Sequence, residues 1–215
     1  MESASADPAA RPSLKAERSE ATRAELVSVA RRLFAERGYA GVGTEEIVRA
    51  AGVTRGALYH HFESKRELLA AVYEQVEREL TERIATEAFA GGQAPADPVA
   101  ALRLGAELFL DACLEPDVQR IVLLDAPAVL GWERWREVAS RYGLGLIEAT
   151  LQAAIDAGAI APQPAGPLAH VLMGALDEAA MYVARAEDRV AARAQMGAAL
   201  SHLLDAFAAD AAGRR

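Results

Sequence analysis

The chain has 215 residues, 52% of them hydrophobic, which suits one or two small helical domains whose core needs no disulfide. Its net charge of −8 at pH 7 excludes a uniformly basic nucleic-acid-binding surface, but residues 11–66 carry eleven basic and seven acidic side chains, whereas residues 71–215 carry twelve basic and 21 acidic ones. The single cysteine, Cys113, excludes an intramolecular disulfide, and we expect a cytoplasmic protein without a signal peptide or a membrane span.

The first predicted helix follows a tail that has the composition of a disordered segment. Residues 1–18 are rich in Ala, Ser and Pro and lack apolar periodicity, so we expect them to be disordered. From residue 19 or 20 onward apolar residues recur with helical spacing, and Gly38 is suited to end the helix after Arg37.

The segment 44–65 predicts two short helices joined by a glycine turn. Gly52 is the residue best able to adopt a left-handed C-cap, and Thr54 can then cap the second helix. Leu58 and Phe62, four residues apart, form the buried stripe of that helix. Its opposite face carries hydrogen-bond donors of the kind that reach base edges and phosphates, namely Arg55, Tyr59 and His60.

The next helix begins with a capping box formed by Ser64 and Glu67. Lys65 lies in its first turn, where a cation opposes the helix dipole, so a compensating anion is expected nearby. Backbone amides at a helix N-terminus together with one lysine are suited to bind a phosphate.

These residues resemble the N-terminal domain of the TetR family of bacterial transcriptional regulators. The resemblance covers residues 22–69 and rests on AxxLFAERGYxxVxTEEI, from Ala30, and on AAGVTRGALYHHFESKRELL. It implies an all-α fold of about nine helices, with a three-helix DNA-binding domain over 19–64 that contains a helix-turn-helix. An all-helical domain for ligand binding and dimerisation would follow over 65–215.

By position, the resemblance assigns contacts with double-stranded DNA to one group of residues. Arg55 and Gly56 would read bases, and His60 occupies a position that varies among relatives. The other residues in the group are Thr44, Thr54, Tyr59, His61 and Lys65. The alternatives are that Tyr59 packs between helices and that both histidines are solvated. Adjacent histidines diverge by about 100° on a helix, so we predict no metal site.

Helix four is predicted over 65–88, because apolar residues recur at three- and four-residue steps without a breaker until Gly91. Prolines then separate or open the remaining helices. These are predicted at about 97–114, 116–125, 132–158, 165–186 and 188–209.

The last two predicted helices are apolar around much of their circumference, which is more than one seam can cover. A second copy of the same pair would complete a four-helix interface, and the resemblance assigns dimerisation to these helices. The predicted interface residues are Leu172, Leu176, Leu200, Leu203, Leu204 and Phe207. Two-fold symmetry would place two recognition helices about 34 Å or more apart, a spacing suited to palindromic DNA.

Aromatic and acidic residues in the middle of the chain are candidates for a ligand pocket. They are Phe109, Asp125, Trp132, Trp135, Tyr142, Met173 and Asp177. The alternative, and the commoner meaning of an aromatic stripe at helical spacing, is an ordinary core. For Asp177 the alternatives are a solvated face or an arginine across the dimer.

Together these features predict a ligand-responsive DNA-binding regulator of transcription. We expect a homodimeric repressor that a small, largely apolar molecule releases from a palindromic operator, with helix four transmitting the change between domains. The alternatives are a helical protein-interaction module and an activator without a small-molecule inducer. The motifs of catalytic helical bundles and of phosphate-binding glycine loops are missing from the sequence, so we predict neither an enzyme nor a cofactor.

Overall fold

The computed structural model describes residues 14–88 and 97–212, and these residues form nine helices and no strand. The helices are α1 (Leu14–Arg37), α2 (Thr44–Ala50), α3 (Arg55–His61), α4 (Lys65–Ala88), α5 (Pro98–Ala112), α6 (a π-helical stretch Val118–Asp125 continued by Ala126–Leu130), α7 (Trp132–Ala139, a π-helical turn Ser140–Leu144, then Gly145–Asp156), α8 (Ala165–Arg185) and α9 (Arg189–Ala212). The predicted all-α fold class is confirmed. We call α1–α3 the head and α4–α9 the body.

Two helix boundaries differ from the prediction. Residues 14–18 were expected to be disordered but form the start of α1, because the run LKAER consists of strong helix formers. Residues 1–13 lie outside the described part of the chain. Helix α6 continues past Pro127, which was expected to follow its end. In the π-helical stretch the missing N–H would have bonded the carbonyl oxygen of Val122, five residues earlier, and this oxygen accepts from Nε1 of Trp135 at 2.8 Å instead.

The turn and the N-caps of the helix-turn-helix form as predicted, but only the Ser64 half of the capping box does, because the Glu67 carboxylate accepts hydrogen bonds from Arg134 at 2.8 and 2.7 Å. Gly52 has φ of +66°, a left-handed conformation that glycine adopts without steric cost. The Thr54 hydroxyl caps α3 by accepting a hydrogen bond from the backbone N–H of Ala57 at 3.1 Å. The Ser64 hydroxyl accepts one from the backbone N–H of Glu67 at 3.2 Å, at the start of α4. Short-range sequence signals therefore fix the angle between α2, α3 and α4.

The head shares one hydrophobic core with α4 and α6 and with parts of α5, α7, α8 and α9. Its buried side chains include Leu26, Phe34, Ile47, Leu58, Leu69, Tyr73, Ile121 and Trp135. A second core joins α5, α7, α8 and α9, with Val99, Leu151, Leu172 and Leu204 among its members. Because the first core is continuous, a change in the body can reach the head through packed side chains.

Most of the leucines predicted for a dimer interface lie inside the chain, so that prediction is wrong for them. Leu172, Leu200 and Leu204 are 5% exposed or less and pack in the chain's own cores. Leu203 and Phe207 are half-buried. The buried leucines face inward because they pack against other helices of the same chain, mainly α5 and α7. The exposed faces carry other residues, namely Val171, Glu178 and Tyr182 on α8 and Ala191, Ala194, Ala198 and His202 on α9.

Candidate nucleic-acid interface and internal cavity

The N-terminal tip of α3 presents Arg55, Gly56 and Tyr59 to solvent. Arg55 and Gly56 directly follow the capping residue Thr54, and Tyr59, one turn later, is 42% exposed. A Cβ added to Gly56 would meet only the Thr54 hydroxyl, at 3.8 Å, so the space beside the tip is open. A duplex can therefore approach the start of this helix, which is where recognition helices contact base edges.

Arg55 has weak and exposed partners. Its Nη1 lies 2.9 Å from Oε1 of Glu45, and its guanidinium carbon lies 5.5 Å from the centroid of the Tyr59 ring. The two side chains of the ion pair are 64% and 69% exposed, so the pair contributes no more than about 1 kcal/mol. A base or a phosphate can replace Glu45 as the partner of Arg55 at little cost.

Lys65 is engaged within the protein. Its Nζ donates to the carbonyl oxygens of Tyr39 and Val42, both at 2.8 Å, and lies 3.9 Å from the centroid of the Tyr39 ring. Burial lowers the pKa of Lys65, and the charge of Asp125 opposes that shift. Two of the three ammonium donors hold the loop that precedes the half-buried Thr44, which leaves one donor for a phosphate.

The two histidines occupy different surroundings at the end of α3. His60 is exposed, and its ring centroid lies 5.2 Å from that of the half-buried His61. His61 borders a surface depression together with Arg23, Phe62 and Glu63. Within residues 14–88 and 97–212, no group of three or more His, Cys, Asp or Glu side chains could hold a metal ion.

An internal cavity of about 100 Å³ lies in the body, between α4, α5, α6, α7 and α8. Four residues predicted for a ligand pocket line it, namely Phe109, Trp135, Met173 and Asp177. Leu172 and Leu176, predicted for the dimer interface, also line it. The structure thus brings together about half of the predicted pocket and adds leucines that were assigned to another surface.

Trp132 and Tyr142 were predicted for the pocket but do not line the cavity. Trp132 is 60% exposed, and its ring centroid lies 4.8 Å from that of Trp135, so it covers Trp135 from outside. The Tyr142 hydroxyl donates to Oε1 of Glu74 at 2.9 Å, beside α4. Helix α7 turns one face to the cavity, and these two side chains lie on other faces.

Glu77, which was not predicted, lines the cavity and is only 8% exposed. Burial raises the pKa of its carboxyl to about 7. The adjacent Tyr73 hydroxyl donates to the carbonyl oxygen of Trp135 at 2.8 Å. The sequence did contain a signal, because Glu77 stands four residues after Tyr73 and three before Leu80, within the apolar stripe of α4.

Asp177 is the second carboxylate at the cavity and is also 8% exposed. It forms an ion pair with Arg136, which lies on α7 of the same chain. Neither expected environment, a solvated face or an arginine across a dimer, is what the structure shows. Sequence spacing could not reveal this pair, because its members lie on different helices.

Helix α6 connects the cavity with the head. Val122 and Leu123 line the cavity. Asp125, predicted for the pocket, instead accepts a hydrogen bond from the backbone N–H of Tyr39 through Oδ2, at 2.7 Å. The side chain thereby holds the loop between α1 and α2, because α6 passes from the cavity wall to the base of the head within a few residues.

Two arginines add to the junction between α6 and the head. Nη2 of Arg31, on α1, lies 2.6 Å from Oδ2 of Asp117, just before α6. The guanidinium of Arg120 occupies the space beside Gly38, whose φ is +73°. A Cβ at Gly38 would displace the flexible end of the Arg120 side chain, so the positive φ is the main reason for glycine at this position.

Comparisons with known proteins agree over both regions. Residues 26–72 match the family described as bacterial regulatory proteins, tetR family, and residues 99–207 match the family described as tetracyclin repressor-like, C-terminal domain. No helix in the described parts of the chain is both long and apolar enough to cross a membrane.

Individual relatives cover different shares of the chain. The transposon Tn10 TetC protein of Escherichia coli is 29% identical over 150 residues, which are 69% of this chain and 73% of TetC. The HTH-type transcriptional regulator CymR of Pseudomonas putida is 37% identical over 118 residues, 54% of this chain and 57% of CymR. The crystal structure of a TetR-family transcriptional regulator from Pectobacterium atrosepticum is 37% identical with a TM-score of 0.79, covering 89% of this chain and 96% of that one.

Proposed function

Because this chain belongs to the TetR family of bacterial transcriptional regulators, we propose that it is a homodimeric repressor. The dimer binds a palindromic operator and dissociates from it when a small, largely apolar molecule enters the cavity. One observation carries the proposal: an exposed helix tip suited to DNA and an internal cavity belong to one connected core. A repressor acts on chromosomal DNA, so we place the protein in the cytoplasm, and we propose no catalytic activity.

Charge and exposure support the DNA-binding part. Arg55, Gly56 and Tyr59 are exposed on one short helix, and the surrounding residues 11–66 carry an excess of four positive charges. Residues 71–215 carry an excess of nine negative charges, which would repel phosphates. The charge distribution therefore favours encounters in which the head meets the duplex first.

The outer faces of α8 and α9 support a dimer. Val171 and Tyr182 on α8 are 60% and 49% exposed, and they are large apolar side chains. The outer face of α9 is formed by small residues, Ala191, Ala194 and Ala198, over which a partner helix could approach closely. A two-fold axis through this surface would present two heads to two half-sites of a palindrome.

The release mechanism that we propose uses α6 as well as the expected helix α4. A ligand that displaces Val122 or Leu123 would move the segment whose Asp125 holds the backbone of Tyr39. Helix α4 also lines the cavity and begins directly after the helix-turn-helix. Weakening operator binding by ten- to a hundredfold needs a coupling free energy of only about 1.4 to 2.8 kcal/mol.

The experiment that tests this function starts from the full chain and fragments of its source genome. Fragments that the protein retains are sequenced, and their affinity is measured by gel shift at two salt concentrations. We expect one palindromic sequence to be enriched, with an affinity that falls as salt rises. Sedimentation should show a dimer. A strictly monomeric protein, or one that binds all duplexes equally, would contradict the proposal.

A reporter assay addresses repression. The selected operator is placed at the promoter of a reporter gene, and expression is compared with and without the regulator. Repression predicts lower expression when the parent protein is present. Arg55→Ala should lose this effect, whereas Arg83→Ala, which removes an exposed arginine far along α4, should keep it. Higher expression in the presence of the parent protein would contradict the assignment as a repressor.

A further inference from the structure

Glu77 is a buried carboxylate, and no basic side chain in the described parts of the chain pairs with it. Burial and Tyr73 are the influences on its pKa, the burial raising it to about 7 and the tyrosine opposing the rise, and no basic side chain is among them. The Tyr73 hydroxyl has a single proton, and it donates that proton to the Trp135 carbonyl oxygen. An ionised Glu77 therefore competes with the Trp135 carbonyl oxygen for the one Tyr73 proton and has no counter-ion among the described residues, which costs free energy unless a counter-charge arrives.

The other charges at the cavity do not compensate Glu77. Asp177, the second carboxylate, already has Arg136 as its counter-ion. The cavity wall therefore carries one carboxylate in excess once Glu77 ionises. An anionic ligand would add to this excess, whereas a cationic ligand would restore neutrality inside the protein.

The remaining wall suits the apolar part of an organic cation. Phe109 and Trp135 supply aromatic rings, whose faces attract cations, and Leu102, Leu172 and Met173 supply aliphatic surface. The volume of about 100 Å³ is of the same order as an engineered cavity of about 150 Å³ that admits benzene. The space therefore suits a ligand with about one ring.

From these contacts we propose that the cavity selects a protonated amine attached to about one hydrocarbon ring, with the ammonium group paired to the Glu77 carboxylate. This inference rests on the proposed function, because it names the chemical class of the effector for the same cavity. It assigns the positive charge to Glu77 rather than to Asp177, which Arg136 already neutralises. The aromatic residues would contact the ring and the carbon that bears the amine.

Four probes of similar size test the proposal on the DNA-free, full-length protein: benzylamine, benzyl alcohol, toluene and benzoate. Binding is followed at pH 8 by calorimetry and by tryptophan fluorescence, to which Trp135 at the cavity and the adjacent Trp132 both contribute. We expect benzylamine to bind at least tenfold more tightly than benzyl alcohol, and benzoate to bind most weakly. Binding of benzoate as tight as that of benzylamine, or no saturable binding of benzylamine, would overturn the proposal.

Variants locate the charge that the ligand meets. Glu77→Gln keeps the shape of the side chain and should lower benzylamine affinity at least tenfold while changing benzyl alcohol affinity less than twofold. Glu82→Gln removes an exposed carboxylate from the same helix and should leave all four affinities unchanged. An unchanged benzylamine affinity in Glu77→Gln would show that Glu77 does not pair with the amine.

A pH series on the parent protein tests the pairing of the amine with Glu77 without any substitution. Benzylamine stays protonated between pH 6 and 8. Its affinity should therefore rise with pH as Glu77 ionises, whereas the affinity of benzyl alcohol should not rise. The other titratable or charged groups around Glu77 are Tyr73, Cys113 and the Arg136–Asp177 pair; burial raises the pKa of Tyr73, and raises that of Cys113 to about 12. A flat benzylamine profile would overturn the proposal.

The ligand class and the proposed function can be tested independently of each other. Binding of the probes is measured without DNA, and operator selection is performed without a ligand. If benzylamine binds through Glu77 but leaves the operator complex intact, the ligand class stands and the proposed release fails. If the operator is found but benzylamine does not bind, the regulator stands and the ligand class fails.

Discussion

In the head, Arg55 pairs with Glu45 through side chains that are both more than 60% exposed, whereas in the body Arg136 pairs with Asp177, whose side chain is 11% exposed. The same two kinds of group thus meet in water in the head, and in the body they form a pair whose carboxylate is buried and whose guanidinium is 25% exposed. Water screens the first pair and supplies alternative partners, so it contributes little to stability. The second pair cannot lose Arg136 without leaving the Asp177 carboxylate buried and uncompensated.

This difference separates two kinds of functional site. Residues of the head can exchange a protein partner for DNA with a small change in the stability of the fold. Charged residues at the cavity are tied to folding, so a ligand that meets them also changes the free energy of unfolding. Substitutions should therefore separate DNA affinity from stability in the head and link ligand binding to stability in the body.

The largest expected effect is that of Arg136→Ala. It leaves Asp177 buried without its counter-ion, which should lower the free energy of unfolding by about 3–5 kcal/mol. Urea unfolding followed by circular dichroism measures the loss. The matched variant Arg55→Ala removes an arginine from an exposed pair and should cost less than about 1 kcal/mol. Similar losses in the two variants would contradict the contrast between head and body.

The second prediction concerns the pH dependence of stability that Glu77 produces. Its folded pKa is about 7, above the ordinary value of 4.5, so the unfolded chain releases this proton first as pH rises. Unfolding therefore becomes easier between about pH 4.5 and 7, and the contribution levels off above pH 7. At about 1.4 kcal/mol per unit of pKa difference, the loss is about 3 kcal/mol.

The same urea unfolding, repeated from pH 5 to pH 8 on the parent protein and on Glu77→Gln, measures this contribution. The amide cannot ionise, so the stability of the variant relative to the parent should rise across that range. The comparison between the two proteins cancels the titration of all other groups. A constant difference between the two curves would show that Glu77 keeps an ordinary pKa in the folded protein.

The third prediction concerns DNA affinity in the head. Arg55→Ala should weaken binding of the selected operator by about 1–3 kcal/mol and relax the choice of sequence. Its effect on stability should stay small because the Glu45 pair is exposed. Gel shifts with operator variants measure both affinity and discrimination. An Arg55→Ala protein that discriminates among operators as the parent does would remove Arg55 from base reading.

The head could be predicted from the sequence because its determinants are local. Gly52 and Thr54 act within a few residues of their own positions, and Leu58 and Phe62 mark the inward face of α3 by their spacing. The bounds of α4 followed from periodicity in the same way, and the structure reproduces them. Local propensity, capping and burial all favour one conformation here.

The cavity could be predicted only in part because its walls come from five helices. Trp132 and Trp135 are three residues apart, yet the first is exposed and the second is buried. Spacing alone could not say which of the two faces the interior. The leucines of α8 and α9 were apolar as expected, but only the packing of α5 and α7 against them decides that the chain covers them itself. Glu77 was detectable as a charge within an apolar stripe.

The smallest expected effect, and the finest test of the contrast, is that of Glu45→Gln. Removing the carboxylate frees Arg55 and takes a negative charge away from the approaching phosphates, so operator affinity should rise by no more than about fivefold. Stability should change by less than about 1 kcal/mol, since the pair is exposed. Glu36→Gln removes the same charge from an exposed position on α1 and serves as the control. An equal gain in both variants would assign the effect to net charge, and weaker binding by Glu45→Gln would mean that Glu45 holds Arg55 in the orientation that DNA requires.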